Sequence, residues 1–116
     1  MIFGNVTGPF TNRLWMFNCD LGYVNFLPLS GASVGISSTN GISLVNNNMS
    51  VDEVNHILVD FDNISTNLNP VGWTGTTLDI GGTNAAPDDG TGGGGDGLAA
   101  LSSLTGVTNN WTITTS

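Results

Sequence analysis

At 116 residues the chain has the size of one domain with one core, and a hydrophobic share of 39% separates it from disordered chains. One basic residue, Arg13, stands against nine acids for a formal net charge of −8, so phosphate backbones and anionic membrane surfaces repel it and nucleic acid is excluded as a partner. The single cysteine, Cys19, excludes an intrachain disulfide and a cysteine-based zinc site.

The opening stretch, MIFGNVTGPF, has neither the basic start nor the continuous apolar run of a secretory signal, and nowhere do eighteen apolar residues follow one another. A soluble chain is expected. In LWMFNCDL, Leu14, Met16, Cys19 and Leu21 follow the pattern L-x-L-x-x-N/C-x-L. Ile42, Leu44, Asn47 and Met49 repeat it 28 positions on, and Leu78, Ile80, Thr83 and Ala85 form a degenerate copy 36 positions further. Trp111 and Ile113 make a truncated fourth. This is the rung pattern of leucine-rich repeats, although the spacing exceeds the ~20–29 residues usual for them. In such a rung the apolar pair points inward from a short strand, and the Asn or Cys bonds backbone groups of the neighbouring turn.

A helix is expected from Val51 to about Asn63. Ser50 and Glu53 form a capping box, Asp52 complements the helix dipole, and Val51, Val54, Ile57, Leu58 and Phe61 make an apolar stripe. Asp52, Asn55, Asp60 and Asp62 are expected to stay wet. STNLNPVGW reads as a loop, with Pro70 restricting Asn69 to extended geometry. The glycine-rich stretch 81–97 reads as an irregular loop. Leu98, Leu101 and Leu104 then mark a short helix ended by Gly106.

The expected fold is α/β: a short leucine-rich-repeat-like, right-handed β-α solenoid of about four rungs, with a small α+β domain as the alternative. The chain is expected to be one domain, with 1–13 as an N-terminal arm, 14–80 holding the rungs and helix, 81–97 the glycine-rich loop and 98–116 a C-terminal cap.

Several residues invite chemistry. Asp88, Asp89 and Asp96 flank the glycine run and offer carboxylates for calcium. GGGGDG loosely resembles the calcium-binding nonapeptide repeat, but Thr91 replaces its first glycine and there is one copy, so the plainer reading is a solvated loop. Cys19 with His56 as a nucleophile and base has no third partner, and Asp60 and Asp62, two apart on a helix, do not face each other. No enzyme is expected, because the titratable inventory is too sparse for a nucleophile, a base and an orienting group. Trp15, Trp73 and Trp111 would make a sugar platform if exposed, but a tryptophan in a small domain is more often core. If the strands stack, Trp15, Phe17, Ser43, Val45 and Asp79 point outward. Three apolar residues there imply either a partner or cover from MIFGNVTGPF.

GTTLDIGGTNAAPDDG at Gly75–Gly90 and GLAALSSLTGVTNNWTITTS at Gly97–Ser116, with the helix VDEVNHILVDFD before them, resemble a tail module of leucine-rich-repeat-like proteins from bacteriophages and marine microbes. The resemblance runs from Ile42 to the C-terminus, about two thirds of the chain, and GVTNNWTITT departs from the usual short approach to the tryptophan. It implies a cap on structural, fibre or tip proteins: a non-enzymatic virion component, a capsid decoration or fibre/tip part on the virion surface. Its partners would be virion proteins, further copies of itself or a host receptor, and no catalytic residue comes with it. The alternative is a cell-surface interaction or adhesion module that binds protein or carbohydrate.

Overall fold

The computed structural model describes residues 14–31 and 41–116; the expected N-terminal arm lies outside them. The strands are very short: β1, Leu14–Trp15; β2, Ile42–Ser43; β3, Thr77–Asp79; β4, Thr112–Thr114. They form one four-stranded parallel sheet in chain order, with Leu14, Ile42, Leu78 and Ile113 in one row and Trp15, Ser43, Asp79 and Thr114 in the next. The architecture is a mixed α/β one. The segments expected to lie side by side, 14/16, 42/44 and 78/80, are adjacent and parallel. Backbone bonds extend the pairing past the strands, with Met16 N–H donating to Ser43 O at 2.8 Å, Asn18 N–H to Val45 O at 3.2 Å and Asn46 N–H to Gly81 O at 3.3 Å.

Two buried asparagines tie these short strands together. The Asn47 side-chain amide donates to Met16 O (2.6 Å) and Leu44 O (2.8 Å), while its Oδ1 accepts from the backbone N–H groups of Cys19 (2.8 Å) and Leu21 (3.3 Å). Asn84 repeats the pattern one strand on, donating to Leu44 O (2.9 Å) and Ile80 O (3.0 Å) and accepting from Asn47 N–H (3.0 Å) and Met49 N–H (3.1 Å). The sequence pattern puts Thr83 in this place. The turn after Ile80 is instead one residue longer, so Thr83 is exposed and Asn84 turns inward. The flanking asparagines have a different task. Asn18, Asn46 and Gly82 occupy corresponding turns with φ of 55°, 59° and 72°, the left-handed region that Asn and Gly tolerate best, and Asn48 follows at 56°. Cys19, expected inward, is exposed; its backbone N–H, rather than its thiol, serves the Asn47 bond.

The turn delivers the chain into α1, Val51–Asn63, through the expected capping box: Glu53 N–H donates to Ser50 Oγ and Ser50 N–H to Glu53 Oε2 at 2.8 Å. Such a cap contributes about 1 kcal/mol. Val54, Ile57, Leu58 and Phe61 are fully buried against Leu44, Leu78 and Ile80 from the sheet. Asn55 and Asp60, expected to be wet, are buried too, because the helix is covered on its flanks as well as on its apolar stripe. Asn55 is roofed by the glycine-rich loop and Asp60 by the segment around Tyr23.

The stretch 65–73, expected as a loop, is mostly helical. Ile64–Leu68 is a wide turn closed by Asn69 N–H to Ile64 O at 2.8 Å, and α2, Pro70–Trp73, starts with proline in its first turn and Asn69 Oδ1 accepting from Gly72 N–H at 3.0 Å. Proline fits there because its missing N–H has no helical partner to lose. The last helix, α3, Gly97–Thr105, is capped by Asp96 and ends at an extended Gly106. Its buried side is Gly97, Ala100 and Leu104, and Leu98 is exposed. Phe26, Phe61, Trp73 and Trp111 form a chain of ring contacts with centroids 4.6 to 6.3 Å apart. Trp111 Nε1–H donates to Ser65 Oγ, which donates to Asn109 Oδ1.

Asn47→Ala leaves Met16 O and the backbone N–H groups of Cys19 and Leu21 without the amide, while Leu44 O keeps its bond from Asn84, so urea unfolding is expected to show a loss of about 2 kcal/mol or more. Asn67→Ala, on an exposed turn, is expected to stay within about 0.5 kcal/mol.

Candidate functional site: the outer face of the sheet

The face of the sheet turned away from α1 gathers all five residues expected there. Trp15, Phe17, Ser43, Val45 and Asp79, with Gly41, Ile42 and Thr77, line one open groove of about 380 Å³. Alternation puts them there: along each strand the neighbours of the inward Leu14, Met16, Ile42, Leu44, Leu78 and Ile80 must point outward. Trp15 is 49% exposed and Phe17 42%, unusual values for such large apolar rings. Their rings contact each other at 5.9 Å between centroids, tilted by 60°, and make one wall. Asp79 stands at the other side, its Oδ1 accepting from Gly81 N–H at 3.0 Å. Gly41 at the groove's base has a φ of 45°, and a side chain there would run into Thr77, so the floor stays open.

The other candidates have separate employments. Asp88 accepts from the N–H groups of Gly90 and Gly92 and from the Asn55 amide at 2.7 Å, Asp89 accepts from Thr91, and Asp96 caps α3 through Ala99 N–H. The Thr91 bonds hold the exposed Asp89 carboxyl below its ordinary range. Among the described residues no three of His, Cys, Asp and Glu gather as a ligand set. The glycine-rich loop is folded onto α1: Asp88 N–H donates to Asn55 Oδ1 at 3.0 Å, and the Asn55 amide also donates to Gly93 O at 2.8 Å. Gly94 lies so close to the α1 backbone at Asp52 and His56 that only glycine fits. Trp73 and Trp111 are core residues, which leaves Trp15 alone of the three on the surface.

Cys19 and His56 have different neighbours. The Cys19 thiol donates to Phe17 O at 3.2 Å, whereas His56 stacks on Tyr23 with centroids 3.9 Å apart and planes 12° off parallel. His56 Nε2 lies 4.0 Å from Asp60 Oδ1, and Tyr23 donates its hydroxyl to Asp60 Oδ2 at 2.5 Å. Sequence reasoning misses this cluster. The i, i+4 spacing of His56 and Asp60 was a signal within reach; Tyr23, 37 positions from Asp60, gave none. Burial raises the Asp60 carboxyl, against the opposing pull of the Tyr23 hydroxyl and His56. Burial and then the Asp60 bond raise the Tyr23 phenol. The arrangement fastens the 23–26 segment to α1.

No family model, curated protein or solved structure matches the chain.

Tyr23 is the only tyrosine, so phenolate absorbance near 295 nm reports it alone. Its folded value lies above the ordinary value of about 10, so the stability it contributes is fully present below that pH and is lost as pH rises beyond it. Absorbance of the folded protein is expected to rise at clearly higher pH than in urea. Coincident titrations would contradict the Tyr23–Asp60 bond.

Proposed function

We propose that the chain is a short leucine-rich-repeat-like, right-handed solenoid of about four rungs and acts without catalysis as a structural component of a bacteriophage virion. Its place is on the virion surface, as a capsid decoration or a fibre or tip part working through protein–protein contact. The observation that carries this reading is the outer face of the sheet, where Trp15 and Phe17 stand exposed beside an apolar groove. Large exposed aromatics beside an apolar groove are what protein interfaces use as anchors. The in-register row Leu14, Ile42, Leu78 and Ile113, with an asparagine bridging the first and the second of its three junctions, supports the stacked-rung reading. The phage assignment rests on the sequence resemblance of residues 42–116. The net charge of −8 favours a protein partner over a nucleic acid.

Mass spectrometry of gradient-purified particles from the source of this chain tests the reading. The chain is expected in a fixed copy number per particle. The double variant Trp15→Ala, Phe17→Ala is expected to fold with an unchanged circular dichroism spectrum and to be missing from particles. Particles that lack the wild-type chain, or that incorporate the double variant normally, would refute it.

A further inference from the structure

We propose that the groove is a receptor for one cationic side chain, an arginine or lysine presented on an extended segment of a partner protein. The proposal rests on the interface reading above and names what the partner must offer. Its basis is the row Trp15, Ser43, Asp79, which the strand register places directly across three neighbouring strands. At about 4.8 Å per strand, the Trp15 ring and the Asp79 carboxylate stand on positions roughly 10 Å apart with the small Ser43 between them. Phe17 and Val45 extend the apolar wall, and Asp79 is the one charged residue among the described residues that line the groove. The bond from Gly81 N–H fixes Asp79 Oδ1 and thereby orients the carboxylate.

An aromatic wall facing a carboxylate suits a side chain with a hydrocarbon stem and a positive head. The stem covers apolar surface, the head lies against the ring, and the carboxylate supplies the countercharge. Charge narrows the occupant further. The whole chain carries a single cationic side chain, Arg13, against nine acids, so a second copy would bring more repulsion than pairing. Anionic ligands would meet Asp79 with like charge. A basic protein segment meets both the apolar wall and the acid.

The test is a ¹⁵N NMR titration of the full chain with three blocked pentapeptides, Ac-Gly-Gly-Xaa-Gly-Gly-NH₂, in which Xaa is Arg, Gln or Glu. The arginine peptide is expected to move the Trp15 indole N–H and the Ser43 and Asp79 amides with millimolar affinity. The glutamine peptide is expected to bind about fivefold more weakly and the glutamate peptide to leave these signals unmoved. Asp79→Asn, which keeps the acceptor for Gly81 N–H, is expected to bring the arginine peptide down to the glutamine peptide's level. Equal binding of the arginine and glutamine peptides, no response at these signals, or indifference to Asp79→Asn would overturn the proposal. So would movement of the same signals with protein concentration alone, which would mark a second copy as the occupant. The outcomes separate from those for the virion reading: an arginine-selective groove on a chain missing from particles removes that reading and leaves this one, and an unresponsive groove on a chain present in particles does the reverse.

Discussion

Strands of two or three residues cannot hold a sheet by backbone pairing alone, and the buried amides of Asn47 and Asn84 supply what is missing. Each carboxamide sits where one strand turns toward the helical side. There it donates to a carbonyl of its own strand and to one of the strand before, and accepts from two backbone N–H groups of the neighbouring turn. A buried polar backbone group left unpaired costs about 1–3 kcal/mol, so pairing several backbone groups through one side chain offsets the cost of burying an amide. The two asparagines are coupled, since the backbone N–H of Asn47 is held by Asn84. Networks of this kind specify one arrangement, because a one-residue slip would leave several groups unpaired together.

That specificity is what makes the outer face usable. The asparagines fix the register on the inner side, and strand alternation then decides which residues stand outside: Trp15, Ser43 and Asp79 in one row, Phe17 and Val45 beside them. On the other side, α1 is clamped at three places: by the core through Phe61 and Leu58, by the glycine-rich loop through Asn55 and Asp88, and by the 23–26 segment through Tyr23 and Asp60. The groove is therefore carried on a firm base, and the binding proposed there would require little ordering of the base itself. The fixed cost appears elsewhere, in the buried Asp60 carboxyl and in Trp73 Nε1, a buried donor with no hydrogen-bond partner among the described residues.

The features set by local chemistry were legible in the amino-acid order. The capping box at Ser50 and Glu53, the inward Asn47 and the outward Trp15 and Asp79 all follow from short-range spacing. Thr83 was misplaced because a fixed offset assumes turns of equal length, and the extra residue at Gly81-Gly82 shifts the role to Asn84. Asn55 and Asp60 were misread because helical periodicity sorts residues by polarity, and it cannot register that a glycine-rich loop and a distant tyrosine will cover the polar flank. The same loop looked free because glycine is costly to order; the close approach to α1 that only glycine permits at Gly94 was invisible without the helix in place. The short helix marked by Leu98, Leu101 and Leu104 is present as α3, anchored by Gly97, Ala100 and Leu104, and Leu98 points to solvent.

Native-state hydrogen exchange tests the role of the asparagine bridges most directly. The backbone N–H groups of Cys19, Asn47 and Met49 lie outside every strand and helix, and their acceptors are side-chain amide oxygens. If the bridges hold the sheet together, these amides exchange with the same opening free energy as Leu44 and Ile80 within the pairing. Exchange at the rate of a solvated turn, while Leu44 and Ile80 stay protected, would mean that the sheet stands without them.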